Sequence, residues 1–219
     1  QYYSFIINVL FNIIMTSNKN SSKLKFRKSI KELKDIFSKL KFFESNIDKI
    51  IDVFFKTLSN NGKIFICGNG GSAAEAEHLS TEFLVRLRPK INRRSFPIIN
   101  LGMNTSYLTA CANDYDFDDV FKRSLSSLVD KGDLLWCLST SGKSKNILKV
   151  LKYAKQNQIQ TIGFLGNNGG EAKKYVDLKI IVPSKNTARI QEIHQFIGHF
   201  ILEQTENLLI KNYRNKKLI

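Results

Sequence analysis

Between residues 23 and 59 apolar side chains return every three or four positions, at Leu24, Phe26, Ile30, Leu33, Ile36, Phe37, Leu40, Phe43, Ile47, Ile50, Ile51, Phe54 and Phe55. That is the period of a helix with one buried stripe, and the polar run Glu44-Ser45-Asn46 predicts a break into two helices. After Asn60-Asn61-Gly62 the pattern changes. Short apolar runs follow at 63–67, 96–101, 133–138, 161–165 and 178–182, each the length of a buried strand. The segments between them can hold a helical crossover, the connection that parallel neighbours need. The expected fold is therefore α/β, a doubly wound five-stranded parallel sheet with helices on both faces and a helical N-terminal extension. A last helix is expected over 187–211.

In such sheets ligands bind beyond the carboxyl ends of the strands, where amides and helix N-termini point outward. The polar clusters of this chain fall there: 68–72 after the first run, 104–106 after the second, 139–144 after the third and 166–170 after the fourth. One edge of the sheet is thus rich in hydroxyls, amides and glycine.

The bulk numbers narrow the picture. A chain of 219 residues with 42% hydrophobic content can bury one sizeable core. One domain over 23–219 is expected, with 1–22 as an N-terminal extension. The formal charge of +15 would attract anions. Its lysines are scattered through helical segments, however, as on a solvated surface, and no aromatic-interleaved basic stripe or reading motif speaks for nucleic acid. Cys67, Cys111 and Cys137 are odd in number and lack CxxC spacing, which implies neither a disulfide framework nor a thiolate metal site and fits a reducing cytoplasm. The apolar stretch 1–14 falls short of the ~20 residues that span a bilayer, and two asparagines interrupt it. No membrane association is expected, and Met15 reads as an ordinary cytosolic start.

Several motifs carry chemistry. Gly68-Asn69-Gly70-Gly71-Ser72-Ala73 fits the loose dinucleotide pattern, but the second strand lacks the acidic end that would hold a ribose, and no Walker lysine follows at the required spacing. No nucleotide cofactor is expected. Ser139-Thr140-Ser141-Gly142-Lys143-Ser144 sets four hydroxyls at a strand-to-helix junction, where they serve either as an oxyanion nest or as ordinary helix caps. His78 and Glu82 lie one turn apart on one helical face, the spacing of a surface pair as much as of a ligand set. Gln191 and His199 are two turns apart on the last helix, roughly 80° apart around its axis, so a shared cleft is possible but not forced. His194 lies off that line and suits a packing or hydrogen-bonding role.

Taken in order, residues 67–78 (Cys-Gly-Asn-Gly-Gly-Ser-Ala-Ala-Glu-Ala-Glu-His), Thr81-Glu82-Phe83, Ala112-Asn113-Asp114-Tyr115, 139–144 and Arg189-Ile-Gln-Glu-Ile-His194-x4-His199 closely resemble the phosphoheptose isomerases of the sugar isomerase (SIS) fold. The likeness covers about residues 25–210, and its last segment is the most specific. It implies a flavodoxin-like SIS sheet and an aldose–ketose isomerase that converts sedoheptulose 7-phosphate to D-glycero-D-manno-heptose 7-phosphate, the first step toward nucleotide-activated heptose for lipopolysaccharide or capsule. The resemblance assigns proton transfer to Glu82 and His199, and Zn2+ binding to His78, Glu82, Gln191 and His199. It assigns phosphate to Ser139, Thr140, Ser141 and Ser144, and the rest of the sugar to Asn69, Gly70, Gly71, Ser72, Glu82, Arg86, Asn113, Asp114 and Gln191. It further implies a cytoplasmic homotetramer with active sites at subunit interfaces.

Two positions depart from the family pattern. Lys143 stands where Asn is usual, and Ala188 replaces an Asp common just before Arg-Ile-Gln. Two other readings stay open: a non-enzymatic binding protein of the same fold, of the kind associated with a replication initiator, and an isomerase or sensor of another phosphosugar. The His78, Glu82, Gln191 and His199 set argues against the first, because a scaffold has no physical need of it.

Overall fold

The computed structural model describes residues 21–102 and 104–215, with side chains described through Tyr213. The expectations for an extension over 1–22 and for a start at Met15 lie outside the described residues, except that Ser21 and Ser22 open a helix. The chain divides into two compact units, residues 1–41 and 42–219. In the first, helix α1 occupies 21–37. The second holds α2 (Glu44–Ser59), β1 (Ile64–Cys67), α3 (Gly71–Leu84), β2 (Ile98–Asn100), α4 (Thr105–Asp114), α5 (Val120–Leu128), β3 (Leu134–Ser139), α6 (Lys145–Gln156), β4 (Gln160–Gly166), β5 (Leu178–Val182) and α7 (Thr187–Asn215).

The break between the first two helices comes earlier than the polar run suggested. The last turn of α1 is tightened by bonds from Ser38 Oγ to the Asp35 carbonyl and from the Lys39 amide to Ile36, and a 3-10 turn spans Leu40–Phe43. Glu44 then begins α2, where a carboxylate suits the positive end of the helix dipole. The residue that resembled a breaker is a helix start. At the other end α7 runs past 211 to Asn215, since no Gly or Pro beyond Gly198 stops it.

All strand pairs are parallel, in the order β2-β1-β3-β4-β5. This is the doubly wound flavodoxin-like sheet, whose strand order reverses between β1 and β3. Its strands are unbroken apolar runs because both faces are covered. Phe65, Cys67, Leu135, Cys137 and Leu165 point to one face and pack with Val120, Phe121, Leu125, Ile147, Leu151 and Ala154 of α5 and α6. The alternate residues turn to the other face, where α2, α3 and α7 lie. There an aromatic column crosses the layers. Phe54 of α2 meets Trp136 of β3 edge-on at 5.1 Å, Trp136 meets Phe164 of β4 at 5.0 Å, and Phe164 meets the His194 ring of α7 at 5.7 Å.

A buried charge cluster fixes the long connection from α3 to β2. Glu206 of α7 is fully buried and accepts from Arg88 Nε and Arg93 Nε, each at 2.6 Å. Arg93 also donates to the Glu82 and Phe83 carbonyls, so it caps the end of α3 while pairing with α7. Its guanidinium lies between the rings of Phe83 and Phe96, 5.2 Å from each centroid. Among the described residues no helix is long and apolar enough to cross a membrane.

His194 is the point of this core most sensitive to acid. It is fully buried with Nε2 3.1 Å from the Leu165 carbonyl, and burial lowers its pKa to about 4 despite that bond. The folded protein thus holds a neutral ring, and its stabilising contribution is complete above the unfolded value of 6.5 and lost as pH falls toward 4. We expect acid to remove about 3 kcal/mol through this group, and His194→Gln to flatten the dependence of urea-unfolding stability on pH between 6.5 and 4.

Candidate active site

The glycine turn after β1 and the serine turn after β3 meet at the switch point of the sheet, and the N-termini of α3 and α6 open between them. Together they form a cleft of about 190 Å³ lined by Asn69, Gly71, Ser72, Leu138, Ser139, Thr140, Ser141, Ser144, Thr187 and Gln191. Gly70, with φ +55, makes the turn into α3. Ser144 occupies the N-cap of α6 without bonding its own helix through the side chain; of the first-turn amides that of Ile147 donates to Asn146 Oδ1 at 2.9 Å, which leaves those of Lys145 and Asn146 to face an anion.

The serine turn is held rigid. The Gly142 amide donates to Ser139 Oγ at 3.0 Å and the Lys143 amide to Ser141 Oγ at 3.2 Å. From the loop after β4, the Ala172 amide donates to the Gly142 carbonyl at 2.9 Å. Gly142 has φ +61, and a Cβ there would overlap the Gly169 carbonyl oxygen. The polar cluster at 166–170 therefore buttresses the serine turn, and none of its residues lines the cleft.

Two helical turns along α3 lies a second centre. His78 Nε2 is 2.8 Å from His199 Nε2 and 3.3 Å from Glu82 Oε1, and ligand atoms of the three residues all lie within 4.8 Å of one another. His78 is 48% exposed while Glu82 is 18% exposed, so the group is partly open to solvent, most of all at His78. Burial lowers the pKa of His199, the nearby His78 lowers it further, and Glu82 opposes both. A neutral imidazole is thereby favoured, the form that ligates metals and accepts protons. Two imidazole nitrogens and a carboxylate are a donor set that suits zinc.

The other sequence-expected residues divide. Gln191 reaches the cleft: its amide sits over Gly71, where a Cβ would overlap Nε2. The amide in contact with His199 is instead that of Gln195, with Nε2 3.0 Å from His199 Nε2. The helix explains this, since Gln195 is one turn from His199 and Gln191 is two turns away. Asn113 and Asp114 end α4 exposed and bonded to each other at 2.8 Å, and Arg86 is exposed and bonded to the Pro89 carbonyl. None of these three lines the cleft.

Sequence reasoning passed over four residues. Asn146 is buried and exchanges two 2.9 Å amide bonds with Asn69, fixing its side chain at the cleft wall. Its signal was a polar residue on the otherwise apolar stripe of α6. Thr187 and Gln195 were visible only as polar positions on α7. Glu75 lies one turn before His78, and burial pushes its carboxyl up to about 7 against the opposing pull of Ser72.

Known proteins give this arrangement a family. Residues 26–166 match the SIS domain. A phosphoheptose isomerase of Synechocystis sp. is 46% identical over 163 residues, 74% of this chain and 83% of the relative. One from Clostridium acetobutylicum is 39% identical over 191 residues, 87% of this chain and 96% of the relative. The solved structure of phosphoheptose isomerase from Neisseria gonorrhoeae superposes with a TM-score of 0.78 at 31% identity, covering 84% of this chain and 98% of its own. That from Francisella tularensis gives 0.81 at 27% identity, covering 85% and 98%. The fold and site define a SIS-domain isomerase. Within that class the chain belongs to the phosphoheptose isomerase family.

The two cleft glycines differ in what surrounds them. At Gly71 a methyl meets the far end of a flexible Gln191 side chain, whereas at Gly142 it meets backbone and a left-handed φ. We expect Gly142→Ala to cost about 2 kcal/mol or more of stability, measured by thermal unfolding. Gly71→Ala should leave the melting temperature close to wild type but displace Gln191 and weaken ligand binding, measured by titration with inorganic phosphate.

Proposed function

We propose that this protein is a cytoplasmic aldose–ketose isomerase that converts sedoheptulose 7-phosphate to D-glycero-D-manno-heptose 7-phosphate through an enediol, at the head of nucleotide-activated heptose synthesis for surface polysaccharide. The observation that carries the reading is the spacing of the two centres. The anion cradle lies at the N-terminus of α3, and the His78, Glu82 and His199 group lies about 10 Å further along the helix at 1.5 Å per residue. A phosphate held at one centre sets the opposite end of an extended sugar chain near the other.

The chemistry needs a base to take a proton from C1, stabilisation of the enediol, and an acid to return a proton to C2. In this reading Glu82, with its main chain held by Arg93, takes the C1 proton. His199, steadied by Gln195 and neutral at rest, takes the O1 hydroxyl proton and returns it at C2, while Glu82 passes the C1 proton to O2. Ser139, Thr140, Ser141 and Ser144 hold the phosphate, while Asn69, Gly70, Gly71, Ser72 and Gln191 line the path of the sugar. His78, Glu82 and His199, with Gln191 as a further donor, are the residues that would hold zinc. Bound there, zinc supplies Lewis-acid polarisation of the substrate carbonyl.

A homotetramer with sites between subunits belongs to the same proposal. Arg86, Asn113 and Asp114 stand exposed outside the cleft of their own chain, available to a neighbouring copy. The exposed Phe196, Phe200 and Leu208 of α7, 49%, 43% and 38% accessible, offer apolar surface for that neighbour.

The test is turnover of sedoheptulose 7-phosphate followed by NMR of the aldose product, before and after chelation and zinc restoration. Wild type should form the manno-heptose phosphate, lose activity on chelation and regain it with zinc. Glu82→Gln and His199→Ala should each lower kcat/KM by about 100-fold or more while retaining the wild-type melting temperature, the range expected for a lost acid or base. Full activity in either variant would sink the assignment of roles.

A further inference from the structure

The cleft has an electrostatic peculiarity. All ten residues that line it are uncharged. A phosphate monoester carries close to two negative charges at neutral pH, and helix N-termini and hydroxyls answer that with partial charges only. A full positive charge is missing from the lining.

Two lysines stand where the serine turn passes into α6, Lys143 in the turn and Lys145 at the start of the helix. Lys145, the first residue of α6, is directed to an acid, with Nζ 4.0 Å from Asp118 Oδ2. Lys143 is placed differently. It stands between Ser141 and Ser144, both of which line the cleft, and it is exposed with no acidic partner among the described residues. Its main chain is fixed, because its amide is bonded to Ser141 Oγ and the preceding Gly142 is locked against the loop after β4. The main chain is thus held in place between two lining serines, and a lysine's flexible four-carbon stem gives its ammonium reach from there.

We propose that Lys143 is a substrate-affinity residue, the one full charge that completes the phosphate subsite formed by Ser139, Thr140, Ser141 and Ser144. The proposal rests on the reading of this cleft as the phosphate site. An ammonium at the solvent edge of the cleft is screened by salt, whereas amide and hydroxyl donors inside it are screened much less. Salt dependence therefore reports on Lys143 separately from the rest of the cradle.

The experiment measures KM for sedoheptulose 7-phosphate and the inhibition constant of inorganic phosphate at several ionic strengths, in wild type, Lys143→Asn, Lys143→Arg and Lys131→Asn. Lys131 serves as the charge control. It lies before β3, at the opposite edge of the sheet from the cleft, so its replacement removes the same charge from the molecule at a distance. Lys143→Asn should raise KM and the phosphate inhibition constant together, by about tenfold at low salt, with the loss falling on KM more than on kcat and with a flatter salt dependence. Lys143→Arg should recover most of the affinity, and Lys131→Asn should keep the wild-type constants and salt slope. If Lys143→Asn keeps both constants and the slope of wild type, the inference is wrong while the phosphate site stands. If inorganic phosphate fails to compete in wild type, the reading of the cleft fails and the inference falls with it.

Discussion

The site depends on one packing arrangement, the side-by-side alignment of α3 and α7 running in the same direction. Gly71 lies under Gln191, His78 meets His199, and Leu79 packs on Gly198, so two turns of one helix are matched against two turns of the other. Gly198 permits the close approach of the helices, and Gly71 leaves room for the Gln191 amide. A Cβ on Gly198 would come within 2.9 Å of Leu79 Cδ1, and one on Gly71 would occupy the place of the Gln191 amide. Both helices follow strands and begin at the carboxyl edge of the sheet, so their shared direction is a consequence of the parallel fold. Residues more than a hundred positions apart are thereby brought into hydrogen-bonding distance.

The same arrangement separates recognition from chemistry. At the N-terminal ends of α3 and α6, the cleft draws on backbone amides, hydroxyls and a turn locked by Gly142 against Gly169 and Gly170. Further along α3 and α7 stand the titratable groups, where partial burial holds His199 toward its neutral form. An anion site made from main chain and hydroxyls keeps its own charge state across a wide pH range, because it has little to titrate. A proton-transfer site needs the opposite, side chains whose charge state is poised. Placing the two on different turns of the same helices lets each have its own dielectric surroundings while the distance between them stays fixed.

Much of the fold was legible in the sequence, for a physical reason: a parallel sheet covered on both faces writes its strands as unbroken apolar runs, and each of the five expected runs holds a strand within two residues of its predicted ends. The break after α1 was less legible. It depends on bonds within the last turn of that helix, and the charged Glu44 reads equally well as a breaker or as a helix start. In the candidate site, the serine and glycine turns announced themselves through residues that only tight turns and anion nests favour. Gln195 did not, because its value comes from standing one turn from His199, and nothing in its own identity marks it. Asn146 was hidden in the same way: its pairing with Asn69 joins two turns that are adjacent only once β1 and β3 are neighbours.

The buried cluster around Glu206 shows how a structural interaction reaches the site without entering it. A carboxylate with no exposure is costly unless its charge is answered, and Arg88 and Arg93 answer it with two 2.6 Å bonds. Arg93 is itself almost wholly buried between two aromatic rings, so neither partner can leave without stranding the other. What this pair fixes is the end of α3, since Arg93 also holds the Glu82 and Phe83 carbonyls. Glu82 is thus gripped through its backbone from α7, the helix that carries His199. Helix ends ordinarily fray, because their last carbonyls lack partners. Here the carboxylate that faces the two histidines lies in the last turn of its helix, and a buried ion pair removes the freedom that this position would otherwise have. The spacing among His78, Glu82 and His199 is therefore set twice over, by glycine-permitted contact along α3 and α7 and by the arginine clamp at the end of α3.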